Sequence, residues 1–156
     1  MGLRAGTENV LAILGLGKAA ELAIDHLPQM DQLRELRDRL ERGIRGLIAG
    51  AKLNGHREQR LPNTLNLTLP GIRGESLVLA LDQRGVAVSS GSACGAGQPE
   101  PSHALISMGL SEEEAHCAVR FSLGIGNTAD DINHTVSLID RILHQNKDVI
   151  RFVGCR

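Results

Sequence analysis

The chain has 156 residues, 42% hydrophobic and 22% charged, with a formal net charge of -1, which is enough for one domain with its own core. A near-neutral balance gives no bulk field to recruit nucleic acid or an anionic membrane. With no Trp or Tyr and only Phe121 and Phe152, the chain lacks a stacking platform for single-stranded nucleic acid, and its core must be aliphatic.

Residues 7–24 read as a helix, with Thr7 as N-cap and a broad apolar face of Val10, Leu11, Ile13, Leu14, Ala20 and Ala23. Arg4 followed by the apolar run Val10 to Leu16 imitates a signal peptide, but Glu8, Asn9, Lys18 and Glu21 suit an amphipathic helix instead. After the break at Pro28, a second helix runs from about Met30 to Ala49. Leu33, Leu36, Leu40, Ile44, Leu47 and Ile48 form its apolar stripe, and Arg34, Glu35, Arg37, Asp38, Arg39 and Glu41 form a solvated face. The period then becomes two: Thr64 to Leu69, between Pro62-Asn63 and Pro70-Gly71, is a half-buried strand.

Glu75 to Arg84 is a short helix closed by Gly85. Val86-Ala87-Val88 is a strand that delivers the chain into a loop of small residues, Ser89 to Gly97. Pro101 to Met108 is helical and stops at Gly109, and Ser111 with Glu114 makes a capping box for a brief helix to about Cys117. Ala118 to Leu123 is another strand, ended by Gly124. Thr128 caps a last helix with Ile132, Val136, Ile139 and Leu143 on one stripe. There is no repeat and no low-complexity linker, so the expected architecture is one α/β (or α+β) layer domain.

Two glycine patterns carry no nucleotide chemistry. Gly15-x-Gly17-x-x-Ala20 lies inside a helix instead of following a strand, and Ala19 stands where a P-loop needs Ser or Thr. The three cysteines, Cys94, Cys117 and Cys155, cannot all pair within one chain, and they show no zinc spacing. His56, His103 and His116 show no ligand spacing either. An unpaired thiol fits a reducing cytoplasm, and no apolar run approaches a membrane span.

Three positions invite a functional reading beside a plain one. Cys94 sits among Ser89-Ser90-Gly91-Ser92-Ala93 and Gly95-Ala96-Gly97; it is either a mobile reactive thiol or an incidental cysteine in a turn. Arg120, flanked by strand apolars, needs either a structural carboxylate partner, the commoner case, or a ligand anion that its planar fork can grip. Thr7 either contributes to an anion site at a helix N-terminus or merely caps the helix.

Five segments occur in order: Gly2-Leu-Arg-Ala-Gly-Thr-Glu-Asn9, Arg60-Leu-Pro-Asn-Thr-Leu-Asn66, Ser89-Ser-Gly-Ser-Ala-Cys94, Glu100-Pro-Ser-His103 and Val119-Arg-Phe-Ser-Leu-Gly124. Together they resemble cysteine desulfurases of the NifS/IscS type, within the class V aminotransferase family, over Gly2 to about Leu143. The resemblance implies the small C-terminal domain of a fold-type I pyridoxal-phosphate-dependent transferase, in which helices pack a small mixed or antiparallel sheet. Residues 1–27 would be a helix at the edge of a larger domain, 28–146 the small domain and 147–156 a tail.

It also implies a homodimer that takes sulfur from L-cysteine, leaves L-alanine and passes a persulfide to an iron–sulfur scaffold or another acceptor. In that scheme Cys94 is the persulfide cysteine, Arg120 binds the substrate carboxylate and Thr7 reaches the cofactor phosphate of the neighbouring subunit. The stretch Gly95-Ala96-Gly97-Gln98 resembles the long loop of this type. One element is missing. The family's Schiff-base lysine lies in a Ser-x-His-Lys segment, and none of Lys18, Lys52 and Lys147 has that context. The expectation is a C-terminal fragment that begins in mid-motif and is inactive alone; the alternatives are a non-enzymatic sulfur-carrier or scaffold-binding module, or an inactive remnant.

Overall fold

A computed structural model describes residues 6–90 and 101–145. Helix α1 (Val10–Asp25) leads through a 3-10 turn (Leu27–Gln29) containing Pro28 into α2 (Met30–Leu47). Strands β1 (Lys52–Leu53) and β2 (Thr64–Thr68) follow, then α3 (Gly74–Asp82), β3 (Ser89–Ser90), α4 (His103–Ser107), α5 (Glu112–His116), β4 (Ala118–Ser122) and α6 (Ala129–Gln145). The four strands form one antiparallel sheet in the order β1-β2-β4-β3.

Alternation along the strands divides the sheet into two unlike faces. Leu65 and Leu67 of β2 and Val119 and Phe121 of β4 point to one side, where all four are buried. Leu40 and Ile44 from α2, Leu77 and Leu81 from α3, and Ile132, Ile139 and Ile142 from α6 close the same core. Apart from Phe121 it is aliphatic, as the composition requires. The opposite face carries a smaller cluster, Leu105, Ala115 and Ala118, with Leu110 beside it. There α4 and α5 cover only the end of the sheet near Ala118.

Several boundaries depart from the sequence reading for local reasons. Asn9, not Thr7, caps α1: the Ala12 N–H donates to Asn9 Oδ1 at 3.1 Å, a bond that the longer amide side chain makes from one residue before the helix. The third strand lies at Ser89–Ser90 and not at Val86–Val88, because only Ser89 and Ser90 find partners, Arg120 and Val119, on β4. Strand β1 has only two residues, too short for any alternation to mark it. The α6 stripe is rotated toward Thr135, Leu138 and Ile142, while Val136 and Leu143 pack at its margin.

Arg37 is the clearest correction. Read as part of a solvated face, it is buried in the structure, with 3% of its side chain exposed. Its Nε and Nη2 donate to Asp38 Oδ1 at 2.9 and 2.7 Å, and its Nη1 donates to the Leu61 carbonyl at 2.7 Å. Arg60 Nη2 adds bonds to Glu41 at 2.6 Å and Asp38 at 3.3 Å. These charge-assisted bonds fasten the long β1–β2 connection to α2. The Ser111–Glu114 capping box on α5 is formed as read, and Thr128 pairs with Asp131 in the same manner at the start of α6.

Gly74 begins α3 where the helix meets the strand end. A Cβ there would stand 2.6 Å from the Ala118 carbonyl oxygen and 3.1 Å from that of His116. Both neighbours are backbone and cannot swing aside. Gly74→Ala is therefore expected to destabilise the chain by about 1–3 kcal/mol, the usual range for overpacking, read from its urea midpoint; an unchanged midpoint would contradict this packing.

Candidate functional site at the open sheet face

Burying Val119 and Phe121 turns the residue between them outward. Arg120 is exposed on the face opposite the main core, so the cost of burying a cation does not arise. No described residue supplies a carboxylate to it, so the structural-partner reading finds no support among the described residues.

Arg120 is the centre of a polar row that crosses the sheet. It stands opposite Asn66 on β2 and opposite Ser89 on β3. Asn54, one residue past β1, follows Asn66 on the far side: its N–H donates to the Asn66 carbonyl at 2.9 Å. Its side-chain Nδ2 donates to Asn66 Oδ1 at 2.7 Å and to Thr68 Oγ1 at 2.9 Å. Asn66 lies within the Arg60–Asn66 segment used for the resemblance, yet the sequence reading gave it no role. The available signal was its place between Leu65 and Leu67, which sets it on the face opposite the core.

The other sequence candidates are distributed differently. Thr7 is exposed in the lead-in to α1, and no described hydrogen bond joins it to the sheet. Cys94 and its glycine-rich neighbours lie outside the described residues, as does Lys147. Cys117 is fully buried, so it is not an accessible thiol. A cavity of about 350 Å³ lies between Val86–Val88, the end of β4 and α6, lined in part by Phe121, Asp131 and His134. Neither Arg120 nor Asn66 belongs to its lining, so it is a separate feature.

Comparison with known proteins agrees with the residue pattern. The family model described as aminotransferase class-V matches residues 1–134. The chain belongs to the class-V aminotransferase family. It is 45% identical over 151 residues to a Clostridium botulinum protein named cysteine desulfurase IscS, covering 95% of this chain and 38% of that protein. A Gluconacetobacter diazotrophicus protein named cysteine desulfurase is 43% identical over 152 residues, covering 97% of this chain and 38% of its own length. Among solved structures, a NifS-like protein from Rickettsia africae superposes with a TM-score of 0.76 at 32% identity, covering 92% of this chain and 38% of that one. The chain thus spans 38% of the length of each of these two curated relatives.

Pyridoxal phosphate, which the class-V family implies, is not accommodated by the described residues alone. A Schiff-base lysine must be free to lose its proton, whereas Lys18 and Lys52 are exposed and ion-paired, to Glu21 at 3.0 Å and to Glu114 at 2.8 Å. Phe121 is the one Phe, Tyr or Trp among the described residues, and it is turned into the core. What this class-V chain presents on its own is an exposed arginine within a polar row across the sheet.

Glu114 borders that face, bridging α5 to β1. The hydrogen bond from Lys52, then the Ser111 N–H and the Lys52 charge, hold its carboxyl below the ordinary value. A depressed carboxyl stabilises the fold above its unfolded-state value, and the contribution disappears as pH falls through the folded value. Acidification from about pH 5 to pH 3 is expected to lower the melting temperature, and Lys52→Met to make that slope shallower. Identical slopes in the two proteins would show that the pair does not contribute.

Proposed function

We propose that this chain carries the substrate-carboxylate-binding and sulfur-accepting part of a pyridoxal-phosphate-dependent cysteine desulfurase. The observation that carries the reading is the open guanidinium of Arg120, on a sheet face with no described carboxylate to satisfy it. Its planar fork suits the carboxylate of an amino acid, and the names of the relatives support L-cysteine as that amino acid.

Cys94 is the acceptor in this reading. Ser90 is paired with Val119, beside Arg120, and precedes Cys94 by four residues, a stretch of chain that spans at most about 14 Å. The thiolate is the reactive form of the acceptor. The overall exchange balances: the C–S bond of L-cysteine is replaced by C–H in L-alanine, while the S–H of Cys94 is replaced by S–S. No external oxidant is needed. The cofactor's lysine, its ring contacts and most of its phosphate contacts belong to residues outside this chain, with Thr7 offering one hydroxyl to the phosphate.

Helix α1 supports an association of residues 1–27 with a larger domain, leaving 28–146 as the small domain and 147–156 as its tail. No residue of α1 is buried, and Val10, Leu11, Ile13, Leu14, Leu16, Leu22 and Ile24 are all exposed. A helix apolar on most of its circumference is built to be covered. The working enzyme is then a cytoplasmic homodimer that passes its persulfide sulfur to an iron–sulfur scaffold or another acceptor protein.

The test joins the full chain to the part of the Clostridium botulinum relative that it does not cover. The fusion should convert L-cysteine to L-alanine. Cys94→Ala should remove persulfide and sulfur transfer, and Arg120→Lys should raise KM for L-cysteine about tenfold through loss of the fork. Sulfur transfer at the full rate in Cys94→Ala would refute the acceptor assignment.

A further inference from the structure

We infer that Asn66 is a second contact for the substrate carboxylate, and that Asn54 is the residue that positions it. The inference rests on the reading of Arg120 given above and adds to it a donor and the device that aims the donor.

An asparagine side chain has one accepting oxygen and one donating nitrogen, so fixing either end fixes what the other presents. Asn54 Nδ2 donates to Asn66 Oδ1 at 2.7 Å. Asn54 is itself held at both ends: its N–H donates to the Asn66 carbonyl at 2.9 Å, and the Thr68 hydroxyl donates to its Oδ1 at 3.2 Å. Thr68 is buried, with 2% exposure, so the clamp is anchored in packed structure. The carbonyl end of Asn66 is therefore committed toward Asn54, on the β1 side. Its Nδ2 donates to no described residue, and the next residue along the row is Arg120, its register partner on β4.

Directly opposed cross-strand residues have Cβ atoms about 4.5–5.5 Å apart. That separation lets an amide N–H and a guanidinium N–H reach the two oxygens of one carboxylate. Both groups are donors, and neither has a described acceptor. A carboxylate supplies two acceptors and the opposite charge, whereas a cation or a neutral amide of the same size would leave Arg120 unmatched. The arrangement thus specifies a carboxylate over its amide or ester, through Asn66 as well as Arg120.

The test uses the active fusion described above, with steady-state kinetics on L-cysteine. Asn66→Ala should raise KM about five- to tenfold while kcat stays within about twofold, the mark of a contact made equally in the ground and transition states. Asn66→Asp keeps the oxygen that Asn54 holds but removes the donor, and should raise KM further, with the melting temperature of the full chain unchanged. Asn54→Ala should give a smaller rise, because it frees the Asn66 amide without deleting it.

If Asn66→Ala and Asn66→Asp leave KM unchanged while Arg120→Lys raises it, the role of Asn66 is wrong and that of Arg120 stands. If Arg120→Lys also leaves KM unchanged, the carboxylate reading fails and this inference fails with it. A fall in kcat equal to the rise in KM, accompanied by a lower melting temperature, would reduce Asn66 to a structural residue and overturn the proposal.

Discussion

Everything at this site follows from one constraint: a strand whose alternate residues must enter an aliphatic core presents the intervening residues on its other side. Val119 and Phe121 enter the core from β4, and Leu65 and Leu67 enter it from β2. A shift of one residue in either strand would move a leucine or a phenylalanine into solvent and a charged or amide side chain into the core. The penalty for that shift locks the register that places Asn66 opposite Arg120. The polar row is thus held by hydrophobic packing that none of its own members contributes to.

Among the described residues, the remaining parts close that face at one end. Helices α4 and α5 seal the end near Ala118 with a small apolar cluster, and the Lys52–Glu114 pair joins α5 back to β1. At the opposite end of β2, Arg37 and Arg60 tie the β1–β2 connection to α2. Leu123 N–H donates to the Asn63 carbonyl at 2.8 Å and so carries the β2–β4 contact one step past the strands. Arginines drawn out of solvent and bonded to a backbone carbonyl or to carboxylates fix geometry more than they add stability. Here the geometry they fix is the path of the chain into β2.

The sequence made the layer order legible, because helical and alternating periods are both strong in this chain. The α2 stripe, the β2 and β4 strands, the capping box on α5 and the Thr128 cap on α6 are where their patterns place them. Arg120 was legible as an unusual strand cation, but not as an exposed one, since only the observed register shows which face it occupies. Arg37 was misread because a single charged position cannot reveal that a distant loop will fold over it. Asn54 and Asn66 were not singled out for the same reason: their partnership spans the β1–β2 connection, and β1 itself is too short to leave a period. The resemblance to cysteine desulfurases rests on ordered motifs, and membership of the class-V aminotransferase family agrees with it, whereas Cys94, the residue it singles out for sulfur, falls outside the described residues.

The central claim is that Arg120 is reachable on a polar sheet face and has no partner among the described residues, while Arg37 is enclosed. Brief labelling of the folded 156-residue chain with the arginine reagent phenylglyoxal, followed by peptide mass mapping, addresses it directly. Arg120 should be modified at the rate of an arginine in an unfolded control, and Arg37 only after denaturation. Protection of Arg120 equal to that of Arg37 in the folded chain would contradict the account.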